Sequence, residues 1–276
     1  MGFRIATNVQ SLSGQRTLSM QRAEQNHELE KLSSGERIVR AADDAAGLAI
    51  SEKFKAEIRS TKQAERNTQD AVSLVQVAEG GLNEVGNMLI RMRELSIQAA
   101  TDTLTDVERG FVDKEVQSLK AEVDRIAKTT KYNGVEVLSG SGQDLQFQIG
   151  VHSSAELDRL YFKPSEYDAT LGRLGLDGIS TVSREDSQSN LDKLDSAITV
   201  VSENRASFGA LQNRLQSTMA NLQVSHENLS AANSRIRDAD IAAESAELTK
   251  RNILTQSGTA TLAQANQNST LALKLL

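Results

Sequence analysis

A chain of 276 residues can form one large domain or two ordinary ones, yet aromatics make up only 3% of it, proline occurs once, and tryptophan and cysteine are absent. Globular enzyme cores of this size draw on bulky rings, whereas narrow helical seams manage with Leu, Ile, Val and Ala, so the composition points to a mainly α, elongated chain without thiol chemistry. A net charge of −6 with both signs interspersed excludes a nucleic-acid footprint, and no apolar run reaches the roughly 18 residues of a membrane span, so neither nucleic acid nor membrane insertion is expected.

The first segment carries Ile5, Val9, Leu12, Met20, Ala23, Leu29 and Leu32 on a loose, interrupted apolar face. Interspersed Ser, Thr, Gln and Asn make it too polar to order alone, so it is expected to pack against other copies. "LSSGERIVRAADDAAGLAIS" follows at 32–51, with the adjacent acids Asp43 and Asp44 before a glycine. Neighbours on a helix point about 100° apart, so the two acids do not close on one proton or one metal. One of them is expected to cap a new helix, with Ser33 and Glu36 forming a capping-box pair just upstream, which makes the stretch a joint.

From Asp44 to Ala100 the spacing predicts one long helix whose seam is Ala71, Val75, Ala78, Leu82, Val85, Leu89 and Met92, in alternating steps of 4 and 3. Thr105 and Glu108 form a capping-box pair that opens a second helix to Thr129, with its seam at Val112, Val116, Leu119, Val123 and Ile126. Asn133-Gly134 is a turn signal, and the alternation of Leu145, Phe147, Ile149 and Val151 predicts a half-buried strand, giving a hairpin region over about 131–163. Residues 163–190 hold Pro164 among Gly, Ser, Asp and Thr and are expected to be a short surface excursion.

Leu191, Leu194, Ile198 and Val201 restart the helical pattern, which continues through Phe208, Leu211, Leu215, Thr218, Leu222, Ser225, Leu229, Ala232 and Ile236. The step near Phe208 reads as a stammer, so a bend or a change of partner is expected there. The last segment, from Ile241, is again loosely apolar through Leu248, Ile253, Leu262, Leu271, Leu273, Leu275 and Leu276.

Chemistry is absent from the sequence pattern. His27, His152 and His226 lack the spacing and company of metal ligands and are expected at the solvated surface, and "GSGQ" at 140–143 has no P-loop lysine. No catalytic, cofactor-binding or metal site is expected. "MGFRIATNVQSLSGQ" has no signal-peptide core, which by itself predicts a cytoplasmic protein, while the lack of cysteine leaves export open.

The quoted joint resembles the N-terminal signature of bacterial flagellins. "QAERNTQDAVSLVQVAEGGLNEV" at 63–85, "RMRELSIQAA" at 91–100, "KYNGVEVLSG" at 131–140, "FGALQNRL" at 208–215, "SRIRDADIAAE" at 234–244 and "TATLAQANQ" at 259–267 resemble the same family in the same order, covering nearly the whole chain. The resemblance implies a structural, non-enzymatic subunit of the flagellar filament used for swimming, with no large variable outer domain. It implies paired N- and C-terminal helices (1–32 and 241–276) in an inner layer, a connecting spoke (33–43 and 237–240), and an outer helical domain (44–236). Ser34, Gly35, Arg37, Ile38, Ala41, Asp43 and Asp44 would form one strand of the spoke and Arg237, Asp238 and Asp240 the other, with close chain approach at the glycine and charges pairing across subunits.

Leu271, Leu273, Leu275 and Leu276 would serve polymerisation, and Arg91, Leu95 and Glu115 match positions that family members present to a host innate immune receptor. Further implied partners are the flagellar type III export apparatus, an export chaperone, the filament cap and hook-junction proteins. The implied location is an extracellular flagellum, or a sheathed or periplasmic form of it. Ser269 departs from the family, whose members often carry proline there. The alternatives are a hook-filament junction protein and a coiled-coil signalling or adaptor module.

Overall fold

The computed structural model describes residues 7–274, with side chains over 7–267. The fold is mainly α, with helices α1 (Val9–Ser34), α2 (Ala45–Ala99), α3 (Asp106–Thr129), α4 (Leu171–Leu174), α5 (Arg184–Arg237) and α6 (Ile241–Lys274). Two small antiparallel sheets lie between α3 and α4 in the chain: β1 (Lys131–Tyr132) with β2 (Val135–Glu136), and β3 (Leu145–Gln148) with β4 (Arg159–Phe162). Among the described residues, no helix is long and apolar enough to cross a membrane. The chain forms two compact units, one of the described residues up to Ile58 with those from Glu227 on, the other Arg59–His226. Both boundaries fall inside the continuous helices α2 and α5, so the whole expected spoke lies within the first unit.

In the second unit the α2 seam is as spaced: Ala71, Val75, Ala78, Leu82, Val85, Leu89 and Met92 are all buried. The same steps continue through the buried Thr61, Ala64, Thr68, Ser96 and Ala99, where Thr68 and Ser96 turn their hydroxyls back to the carbonyls of Ala64 and Met92. Antiparallel neighbours are fixed by Arg93 Nε on Asp195 Oδ1 (2.6 Å), Gln212 Nε2 on Glu79 Oε2 (2.8 Å) and Gln223 Nε2 on Glu65 Oε1 (3.0 Å). The capping box at α3 forms, the Thr105 side chain accepting from Glu108 N while Glu108 Oε2 accepts from Thr105 N. Arg109, buried on the first turn, donates to Ala99 O (3.1 Å) and Thr101 O (3.2 Å), satisfying carbonyls left open where α2 ends.

The expected stammer in α5 is absent. The buried side chains are Ser187, Asn190, Leu194, Ala197, Val201, Phe208 and Leu215, on one heptad row whose fully buried positions include Asn190 and Ala197, while Leu191 and Ile198 are half-buried beside it. Asn190 is tolerated there because its side-chain nitrogen donates to Ser180 O at 2.7 Å.

The hairpin region is two hairpins. Asn133 (φ 49°) and Gly134 (φ 82°) make the tight turn of the first, and β3 ends at Gln148, before Ile149 and Val151. The expected surface excursion is in fact part of the core. Ala169, Leu174, Leu176, Ile179 and Thr181 are buried, Thr181 N donates to Asp113 Oδ1 (2.7 Å), and Gln117 Nε2 donates to Ile179 O (2.9 Å). Its scattered apolar residues have no period, which hid their burial. Phe162 stacks on Tyr167 and Phe208, and Tyr167 tilts against Phe208, with centroids 4.5–6.0 Å apart, so three of the nine aromatics pack at this one place.

In the first unit α1 and α6 pair antiparallel: Asn8 Nδ2 donates to Ala265 O (3.0 Å), Ser11 Oγ to Asn266 Oδ1 (2.9 Å) and Gln25 Nε2 to Asn252 Oδ1 (2.6 Å). The α1 side of this pairing is Ser11, Gly14, Leu18, Gln21, Gln25 and Glu28, a heptad row made almost entirely of polar or small residues. Ile5 lies outside the described residues. Of the remaining expected apolar face, Val9, Leu12, Met20 and Leu29 are exposed, Val9 at 64%, and on α6 Ile241, Ile253 and Leu254 are exposed as well. Thus the two paired helices leave several apolar side chains uncovered. Leu275 and Leu276 lie outside the described residues, as do the side chains of Leu271 and Leu273 on α6.

Candidate functional site

Two features of the first unit stand out: the uncovered apolar side chains of α1 and α6, and the two strands that join α1 to α2 and α5 to α6. The joint begins where α1 stops. Gly35 ends that helix at φ 71°, its N–H donating to Lys31 O, so the glycine serves a left-handed turn and not a close chain approach. Ser33 is inside the last turn of α1, and Ser34 Oγ accepts from Glu36 N. The expected Ser33/Glu36 capping box therefore does not form, because this is the end of a helix instead of its start.

The two strands are welded by backbone. Arg37 N donates to Arg237 O (2.6 Å), Ala239 N to Gly35 O (2.9 Å), and Glu36 pairs with Asp238 as a single antiparallel bridge. The Arg37 guanidinium donates to Ile236 O at 2.7 Å. Arg237 lies between Glu36 (3.0 Å) and Glu52, its side chain 14% exposed and its guanidinium held more firmly charged first by the Glu52 contact and then by Glu36. Arg237 thus finds its acidic partners within one chain. Ile38 is buried, Ala41 is exposed on the turn, and the Asp238 side chain faces solvent.

Asp43 and Asp44 have separate tasks. Asp43 Oδ2 accepts from Arg40 N (2.9 Å) and Val39 N (3.1 Å), and the Arg40 bond in particular holds its carboxyl below the ordinary aspartate range. Its Oδ1 meets His27 Nε2 at 3.1 Å, so His27 is tied into the joint and not solvated as expected. Asp44 caps α2, Oδ1 accepting from Gly47 N at 2.8 Å. Asp240 does the same for α6, accepting from Ala242 N (2.9 Å) and Ala243 N (3.3 Å). Sequence reasoning missed His27, Glu28, Lys31, Glu36, Glu52 and Glu244, whose partners come from other elements and leave no local spacing to read.

In the second unit Arg91 reaches Glu115 Oε1 (2.9 Å) and Glu94 Oε2 (3.1 Å) on an exposed face of α2 and α3. Leu95 is only 2% exposed, packed in the core, so of the three expected receptor contacts only Arg91 and Glu115 face solvent. Leu95 widens the buried stripe beside the Met92 position of the seam.

This arrangement has a counterpart in known proteins. Residues 5–143 match the model of the bacterial flagellin N-terminal helical region and residues 191–276 that of the C-terminal helical region. The flagellin of Halalkalibacterium halodurans is 43% identical over 98% of both chains. The chain belongs to the bacterial flagellin family.

The flagellin of Bacillus subtilis is 40% identical, with 99% of this chain and all of that one aligned, and flagellin FlaB2 of Treponema pallidum is 41% identical over 98% of both. Among solved structures, Bacillus cereus flagellin matches 61% of this chain and 94% of its own at a TM-score of 0.52 and 33% identity. A putative flagellar hook-associated protein from Vibrio parahaemolyticus shares the fold alone, at a TM-score of 0.58 and 14% identity. The chain is therefore a flagellin and a structural subunit of the flagellar filament. The matched regions flank residues 144–190, which include β3, β4 and the buried excursion.

Proposed function

We propose that copies of this flagellin assemble by covering the apolar sides of α1 and α6, which form the inner layer, while the second unit forms the outer layer and the strands 33–43 and 237–240 carry load between them. The observation behind this reading is that Val9, Leu12, Met20, Leu29, Ile241, Ile253 and Leu254 are all exposed on two helices whose mutual pairing is largely polar. Burial of an apolar side chain of this size contributes about 1.5–3 kcal/mol, so several per subunit add a driving force for association that one chain alone does not supply. Leu271, Leu273, Leu275 and Leu276 extend the same end and are assigned to polymerisation. Deleting residues 271–276 should abolish filament growth while the helical signal of the second unit persists; filaments of normal length from the truncated protein would refute the assignment.

The subunit performs no reaction in this reading. It is exported through the flagellar type III apparatus with an export chaperone, incorporated beneath a filament cap, and joined to the hook by junction proteins, in a filament outside the cell or within a sheath or periplasm. Arg91 and Glu115 are assigned to contact with a host innate immune receptor, with Leu95 supporting them from the core. Family resemblance supports these partners, and the exposure of Arg91 and Glu115 supports the last.

A further inference from the structure

Where α1 and α6 meet beside the joint, two acids face each other. Glu28 on α1 and Glu244 in the first turn of α6 converge on the same lysine, and two acids crowded on one cation in a mostly covered seam favour holding one proton between them. Lys31 Nζ stands 3.3 Å from Glu28 Oε1 and 4.0 Å from Glu244 Oε1. The three side chains are 7%, 17% and 17% exposed, for Glu28, Glu244 and Lys31 in turn. With one shared proton the trio is neutral; without it, two anions touch across a mostly covered seam with one cation between them.

We propose that Glu28, Glu244 and Lys31 form a proton-operated clasp that tightens the pairing of α1 with α6 while the proton is shared and loosens it when the proton leaves. The surroundings set its direction. On α1 the pair faces His27 and Lys31; on α6 it faces Glu247, which is engaged by Lys250 (3.0 Å) and Arg251 (3.0 Å). His27 is in turn held by Asp43 at 3.1 Å. The hydrogen bond with Glu28, followed by burial, raises Glu244 above the ordinary carboxylate range, while the bond from Glu244, aided by Lys31, lowers Glu28. A carboxyl raised by folding contributes stability that is full below its unfolded value and is lost as pH rises through its folded value, so the clasp closes in mildly acidic medium and opens toward alkaline.

The test compares filaments of the wild type, Glu244→Gln, Glu28→Gln and the neighbouring control Glu247→Gln, measuring the free subunit concentration at equilibrium from about pH 5 to about pH 9. Glutamine at 244 keeps a donor toward Glu28 and cannot ionise. The free concentration of wild type and control should rise severalfold over this range, while Glu244→Gln stays flat and Glu28→Gln is flattened. A wild-type rise retained in full by Glu244→Gln, or no rise in the wild type, would overturn the proposal. Should Glu244→Gln fail to assemble, carbon-13 carboxyl spectra of wild-type filaments decide: one glutamate titrating above the ordinary range supports the clasp, and all titrating within it refutes it.

Discussion

Replacing Gly47 by alanine sets helix propensity against local packing, and the structure decides which wins. Alanine is favoured over glycine inside a helix by about 1 kcal/mol, so on propensity alone Gly47→Ala should stabilise α2. Gly47 is buried, however, and a methyl group there would meet the Asp44 carboxylate, with Asp44 Cγ at 2.9 Å, and Ile38 Cδ1 at 2.9 Å. Asp44 cannot swing away without giving up its bond from Gly47 N, a cap worth about 1 kcal/mol. Ile38, buried in the joint, must shift too, and overpacking of this kind costs about 1–3 kcal/mol. The sum is a net loss of about 1–3 kcal/mol, confined to the joint. Amide hydrogen exchange of assembled filaments should show faster exchange over residues 44–50 in Gly47→Ala, accompanied by a lower depolymerisation temperature. Slower exchange and a higher temperature would mean that propensity dominates and that the Asp44–Gly47–Ile38 contact does not constrain the joint.

Three further outcomes follow from named contacts. Leu89→Ala empties a fully buried position on the α2 seam and should cost about 3 kcal/mol in urea unfolding of the second unit, a loss under about 1 kcal/mol contradicting the assigned core. Asp43 is lowered chiefly by the backbone bond from Arg40, so its stabilisation is present above the ordinary aspartate value and lost as pH falls through the depressed one; Asp43→Asn filaments should show a shallower acid-induced depolymerisation below about pH 4, and an unchanged curve would remove Asp43 from the acid response. Monomer should signal weakly to innate-receptor reporter cells, because the exposed Ile90 offers no hydrogen bond beside Arg91; Arg91→Ala should signal less and intact filaments not at all, whereas equal signalling by all three would reject both the site and its burial.

How much of this was legible depended on who the partners are. The α2 seam could be read because Leu, Val, Met and Ala occupy successive heptad positions, and the α3 start because Thr105 and Glu108 are three residues apart. The α5 register was hidden because Asn190 and Ala197 hold inward positions that Leu191 and Ile198 seemed better suited to fill. On α1 the spacing did not reveal the pairing with α6, which runs through Ser11, Gln25 and Glu28 and leaves Val9 and Leu12 outside. In the joint, the caps at Asp44 and Asp240 are local and could be foreseen, whereas Arg237 with Glu52, and His27 with Asp43, are made by the fold. Gly35 carried a signal that could have been read: a glycine after a helical run, with Lys31 in the last turn, marks a helix end.

The central claim is that an apolar side left open in one chain is covered by other copies. Electron microscopy of the purified protein after salt seeding tests it most directly. Long filaments of uniform diameter, lost when Leu12 and Ile253 are replaced together by glutamine, are the predicted result. Discrete particles from the unaltered protein, or filaments indifferent to those two exchanges, would contradict it.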